Sequence, residues 1–509
     1  MRPTPAAPVV SVTGGMVIGT ESGGIATFRG IPYAAPPVGP FLLAAPQPVV
    51  SWEGHRRVVD TPPSAPQGRG GPTGGTNASG RGEQDYLTVN VWSPSLGRTG
   101  SPVMVWIHGG GFFAGSASFD LYDGASLAGR GVVVVSFNYR LGAIGFAQIE
   151  GAPSNRGLRD QIAALRWVQD NIKRFGGDPD AVTLVGQSAG GSSIAALMSS
   201  PHGAGLFTRA IIQSGSAELA FDSDDARMVT KRLLEVLALD QETESRTSIE
   251  GLDVPLLLRA QSRVMSELAE SPDPHVWGAT TVTRGVGLLA FAPVIDGDLL
   301  PALPADLDVS TLPNGMSVLT GTMRAEWNQQ PGFRDIVANN VADSPNEMQA
   351  LGMWLRGYGI GPDALAVYAT NRPTASATDL GCAIMTDFYF RRPTYQLARR
   401  LAAGGVRTYV YEFAWAADGR GRGGPVHDAH LPFVFGTRDR LPHSANVEAP
   451  ADVQEQVQTL WTTFASAGST GMRSVPAGVH EPLPVRVLGE GGPRTEIDPR
   501  PEELRSLPM

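Results

Sequence analysis

The run VTLVGQSAGGSS, from Val182 to Ser193, constrains this chain more than any other stretch. Four β-favouring residues lead into Gly186, Ser188 stands two residues from Gly186 and two from Gly190, and small residues then open a helix. A strand that turns so sharply into a helix leaves no room for side chains at the flanking positions, so glycine is required there. The bend strains the serine backbone and lifts its hydroxyl out of the fold. It also sets backbone amides and a helix N-terminus beside that hydroxyl, where negative charge is stabilised. The context therefore predicts a nucleophile at the end of a sheet strand.

The flanking sequence supplies the sheet. VMVWIH (Val103 to His108) and VVVVSFNY (Val132 to Tyr139) read as buried strands, and Leu158 to Phe175 reads as an amphipathic helix carrying Leu158, Ile162, Leu165 and Ile172 on one face. Gly176, Gly177 and Pro179 end that helix. Later strands are expected at SVLTG (Ser317 to Gly321) and TYVYEF (Thr408 to Phe413), and a late helix carries Val453, Val457, Leu460, Trp461 and Phe464. Such alternation implies an α/β fold with a central, mostly parallel sheet covered by helices on both faces.

Composition narrows the function. Net charge is -9 over 509 residues with the two signs interspersed, so no basic face offers itself to a nucleic acid or an anionic membrane. No apolar run is long enough to span a bilayer or to serve as a signal peptide, which gives a soluble cytoplasmic protein as the expectation. Cys382 is the only cysteine; it precludes an intrachain disulfide and reads as an inert core residue. Neither a metal nor a cofactor is called for. The stretch Gly68 to Gly82, GRGGPTGGTNASGRG, reads as a surface loop whose Asn77 sequon carries no meaning in such a protein.

A second chemical element, HGGGFFAGS from His108 to Ser116, directly follows a strand. Successive glycines let main-chain N–H groups converge on one oxygen, the arrangement that an acyl-transfer transition state needs. Ser188 further requires a base, and the base an orienting acid, in the chain order serine, acid, histidine. Of the later histidines, His202 and His275 lie in polar turns. His427 and His430, in GPVHDAHLPFVFG, precede an apolar run, and the residues alone do not choose between them. Glu326, just beyond a strand in LTGTMRAEWN, is the best-placed acid.

Across nearly its whole length the chain resembles the type-B carboxylesterase family, which includes cholinesterases and bacterial p-nitrobenzyl esterases. The resemblance is carried by FRGIPYAAPPVG, QDYLTVNVW, VWIHGGGFFAGS, NRGLRDQIAALRWVQDNIKRFGGDPDAVTLVGQSAGG, IIQSGS, PVIDGDLLP, LTGTMRAEW, HDAHLPFVFG and WTTFASAG, in the family's order and spacing. It implies a single α/β-hydrolase domain over residues 1–509, with helical insertions over the active site. It also implies Ser188 as nucleophile, Glu326 as acid, His427 as base, and Gly110, Gly111 and Ala189 as oxyanion-hole amides. Ser214 would support the triad from behind. Phe112, Phe113 and Trp327, aromatic residues beside these motifs, suggest an apolar acyl or alcohol group.

Departures from the family pattern bear on the substrate. Gln187 and His430 stand where the family usually has glutamates, so the pocket floor loses negative charge. Trp327 replaces a common glycine, Tyr86 a loop cysteine, and Leu42 and Gln84 together replace an Arg–Glu ion pair. The Gly68 to Gly82 loop lacks the tryptophan with which cholinesterases face a quaternary ammonium. The expected enzyme is a serine carboxylesterase acting on small neutral esters as a monomer or weak homo-oligomer. The same nucleophile also serves amides, carbamates, lactones and acyl transfer, and some members of this fold only bind partners.

Overall fold

A computed structural model describes residues 7–68, 84–239, 249–329, 332–342, 344–416, 424–440, 450–478 and 480–508. They fall into two compact units, Met1–Ala210 with Glu218–Asp308 and Ile211–Ala217 with Val309–Met509. All but the first residue of the glycine-rich stretch at 68–82 lies outside the described residues.

The first unit is organised by six strands in the spatial order Thr20–Ser22, Ile25–Pro32, Thr88–Ser93, Val133–Phe137, Ser101–Ile107 and Gly177–Gln187. Ser101–Ile107 runs parallel to both its neighbours. Val103, Val105, Val133, Val135, Val182 and Leu184 are wholly buried, as strands covered on both faces require, each side chain contributing about 1.5–3 kcal/mol relative to exposure. The other three pairings are antiparallel, and the register slips between Phe28 and Ile31, so this side of the sheet departs from the parallel expectation.

The expected helix at 158–175 is an α-helix over Arg156–Asn171 followed by a 3-10 turn, Ile172–Phe175, that ends at left-handed Gly176. Its start is fixed by buried polar groups. Asn155, at φ 55°, bonds both backbone groups of Val294, and Arg156 donates to the carbonyls of Ala143, Ile144 and Ala147. Within the same helix, Asp160 takes Arg140 in a forked pair at 2.6 and 2.7 Å. Arg140 also donates to the carbonyl of Leu42, which is buried while Gln84 is exposed, consistent with the loss of an ion pair there.

The second unit orders the strands Ser317–Met323, Arg407–Phe413, Pro484–Leu488 and Arg494–Ile497, the last antiparallel. Ser317–Met323 is buried along its whole length. Cys382 lies buried in the helix Ala377–Thr386, and burial pushes its thiol up to about 12, in keeping with an inert core residue.

Candidate active site

Ser188 sits at φ 57° and ψ -124°, between the end of the strand Gly177–Gln187 and the helix Ala189–Ser199. Few L-residues adopt this backbone, and it persists only where the surroundings impose it. The imposing contacts are those of the two glycines. A Cβ on Gly186 would lie 2.5 Å from the carbonyl oxygen of Gly190, and one on Gly190 would overlap that of Ile107. Ala189 heads the helix, so its N–H is among those with no partner inside it.

The glycine loop passes directly against this turn. A Cβ on Gly109 would meet the Gln187 side chain at 2.6 Å and Ser188 Cβ at 3.1 Å, so Gly109, which the sequence reading did not single out, is what allows the approach. Gly110 and Gly111 take φ 112° and 61°, and their N–H groups have no acceptor among the described residues. The loop is braced from below. Ala114 N–H donates to the Gly110 carbonyl at 2.9 Å, and Gln67 bonds both backbone groups of Gly115. His108 is buried, stacked on Tyr139 and bonded through Nδ1 to the Gly109 carbonyl; burial lowers its pKa to about 4, so it stays neutral.

In the second unit, Glu326 occupies a one-turn 3-10 helix just after the strand Ser317–Met323 and is wholly buried. One carboxylate oxygen accepts from Met323 N–H at 2.8 Å and the other from His427 Nδ1 at 2.7 Å. The His427 ring packs against Phe333 and Phe390, with centroids 5.4 and 4.7 Å away. With Nδ1–H committed to Glu326, Nε2 is the nitrogen that carries the lone pair.

His430, three residues on, is a different kind of histidine. It is wholly buried and donates through Nε2 to Gln213 at 2.5 Å. Burial, and then neighbouring His427, lowers its pKa to about 3, so the imidazole is uncharged. Gln213, at the end of the strand Arg209–Gln213, was not singled out in the sequence, although it lies within the motif IIQSGS. Next to it Ser214 has a left-handed backbone at φ 51°, and its buried hydroxyl has no partner among the described residues.

The aromatic candidates divide. Phe113 is half-buried and has surface to present. Phe112 and Trp327 are wholly buried. Phe112, at φ 63°, turns its ring edge-on to Phe146, and Trp327 stacks on Phe333 at 4.9 Å. Both rings therefore pack against other aromatic side chains.

Comparisons with known proteins show the family and the fold. Residues 6–483 match the Carboxylesterase family. The chain is 32% identical to a para-nitrobenzyl esterase from Bacillus subtilis over 98% of each sequence, and 34% identical to a fumonisin B1 esterase from Sphingopyxis macrogoltabida over 89% of this chain and 81% of that one. It is 30% identical to human carboxylesterase 3, over 93% and 85% of the two chains. Two solved structures of a PNB esterase superimpose with TM-scores of 0.79 and 0.82 at 30% and 31% identity, covering 98% and 99% of this chain and all of theirs. The fold is therefore that of an α/β-hydrolase, and no helix among the described residues is long and apolar enough to cross a membrane. A chain matched in this way over nearly its full length, with a strained serine between a glycine loop and a helix start, belongs to the carboxylesterase family and is a serine hydrolase of carboxylic esters.

Proposed function

We propose that Ser188 is the nucleophile, His427 its general base and Glu326 the acid that orients the base, and that the substrates are neutral, apolar carboxylic esters. The observation that carries this reading is the strained, positive-φ backbone of Ser188 at the head of a helix, the kind of strain that clusters at active sites. As Ser188 Oγ bonds to the acyl carbon, its proton passes to His427 Nε2. The carbonyl oxygen becomes an oxyanion facing the N–H groups of Gly110, Gly111 and Ala189. The ester C–O bond then breaks, His427 returns the proton to the departing alcohol, and water repeats the sequence to release the acid. Glu326 holds the ring through Nδ1–H and stabilises the imidazolium.

The preference for neutral substrates is supported by the neutral state of His430 and by the amide of Gln187, which put no negative charge where a cation would seek it. Half-buried Phe113 is the apolar surface offered beside the glycine loop. We also assign the enzyme to the cytoplasm as a monomer or weak homo-oligomer. The single buried thiol supports the first assignment, and the origin of every proposed catalytic group in one chain supports the second. Cell fractionation and light scattering test these.

For the central proposal, intact-mass analysis after a fluorophosphonate should show one adduct, mapping to Ser188, with complete loss of p-nitrophenyl ester hydrolysis. Labelling elsewhere, or full activity in Ser188→Ala, would sink it. For specificity, matched neutral and cationic esters should favour the neutral one, and Gln187→Glu should move that ratio toward the cation. An unchanged ratio in the folded variant refutes the charge argument.

A further inference from the structure

Behind Glu326 lies a buried charge cluster that the proposed reaction does not use. Arg391 is almost fully buried and directs Nη2 to the carbonyl oxygens of Arg324, at 2.9 Å, and Met323, at 3.4 Å. Met323 is therefore held at both ends: its N–H donates to Glu326, and its carbonyl accepts from Arg391. The Arg391 charge is answered by Asp387 one turn earlier and by Glu412, whose Oε2 lies 3.3 Å from Nε. Glu412 is buried on the neighbouring strand, opposite Thr322, and also takes Arg324 at 2.7 Å and Arg500. Asp387 accepts in turn from Tyr368 at 2.7 Å.

Residues 387–391 form a single π-helical turn between two α-helices. Such turns cost hydrogen-bond geometry and are frequent at functional sites. Here the extra residue lets consecutive side chains serve two tasks, since Phe390 packs on the His427 ring while Arg391 reaches the turn that carries Glu326.

We propose that Arg391, balanced by Glu412 and Asp387, is a positioning residue for the acid–base pair, fixing Glu326 through the Met323–Arg324 backbone. The inference rests on the assignment of Glu326 and His427 made above. Neither Arg391 nor Glu412 touches the reacting atoms; their effect is on where the carboxylate stands, and displacements near 1 Å cost about 100-fold in turnover.

The test uses Arg391→Gln and Arg391→Lys in the full chain, with active sites counted by fluorophosphonate and Glu326→Ala as reference. Arg391→Gln should lower kcat by about 10- to 100-fold with KM nearly unchanged, because the loss falls on transition-state stabilisation. The acidic limb of kcat/KM separates positioning from simple charge loss. His427 faces, among other groups, the Glu326 carboxylate, neutral His430 and the rings of Phe333 and Phe390. Removing a positive charge would by itself move the limb to higher pH, whereas loosening Glu326 moves it to lower pH. The expected movement is to lower pH. A limb displaced upward, or an unchanged kcat, overturns the proposal.

Should the glutamine variant fail to fold, Arg391→Lys decides, since it keeps the charge but one ammonium cannot reach both carbonyls and both carboxylates. Its kcat should fall about 10-fold with the limb again at lower pH, and wild-type values overturn the proposal. If Glu326→Ala itself turns over normally, the acid assignment fails. If it is inactive while both Arg391 variants behave as wild type, only the positioning role fails.

Discussion

Glu326 and His427 meet through one hydrogen bond of 2.7 Å, while the second oxygen of the same carboxylate is occupied by the N–H of Met323. This second contact fixes the outcome of an isosteric change. In Glu326→Gln, Met323 N–H requires an acceptor, so the amide must turn its oxygen that way and its NH2 toward His427 Nδ1. The imidazole is then driven into the tautomer with the proton on Nε2, which cannot accept one from serine. Turnover should fall by about 1,000- to 10,000-fold with little change in melting temperature. Steady-state kinetics on a p-nitrophenyl ester checks this, and a loss under tenfold contradicts it.

Gly190 is predicted to be irreplaceable even by alanine, because the added Cβ would overlap the carbonyl oxygen of Ile107. Gly97, exposed and with open space for 4 Å around the place a Cβ would take, is the matched control. Gly190→Ala should give little soluble protein or a melting temperature at least several degrees lower, and Gly97→Ala should change neither beyond about 0.5 kcal/mol. Equal stability of the two variants would falsify the crowding argument.

The two histidines of HDAH should behave unequally. His427→Ala removes the proposed base and should lower turnover by several orders of magnitude, about 1,000-fold or more. His430→Ala should act mainly on stability and substrate preference. Gln213→Leu provides the complementary measurement. It leaves the buried Nε2–H of His430 without its acceptor and should destabilise the fold by about 1–3 kcal/mol in denaturant unfolding. A greater kinetic loss at His430 than at His427 would reverse the assignment of the base.

His108 and His430 make folding sensitive to acid. Burial lowers their pKa values to about 4 and about 3, so between roughly pH 6.5 and 4 the unfolded chain takes up protons that the folded chain refuses. Stability should therefore be full above pH 7 and fall as pH falls through that window, by up to about 1.4 kcal/mol per pH unit for each histidine. Unfolding midpoints measured from pH 7.5 to 4.5 should decline, and His430→Gln should flatten the slope. An identical slope in the variant would show that His430 is protonated in the folded state.

What could be read from the sequence was what depends on neighbours in the chain. The turn at Ser188 is imposed by residues two away on either side, and the buried valines of Ser101–Ile107 and Val133–Phe137 announce themselves as unbroken apolar runs. Ile25–Pro32 was harder, because glycine and proline break its pattern and the register slips inside it. The choice between His427 and His430 turns on partners 101 and 217 residues away, Glu326 and Gln213, which no local pattern displays. The orientation of Phe112 was illegible for a related reason, since its ring packs against Phe146, 34 residues away, from a backbone at positive φ.

The burial of Cys382 has a practical consequence. It is the one thiol in 509 residues, and with its pKa pushed up to about 12 almost none is thiolate at neutral pH. The wild-type chain is thus already a blank background for maleimide chemistry. A single exposed position, such as Ser466→Cys on the helix Ala451–Ala467, can carry a fluorophore or a surface tether without any change to the native cysteine, and the labelled enzyme can be immobilised in one defined orientation.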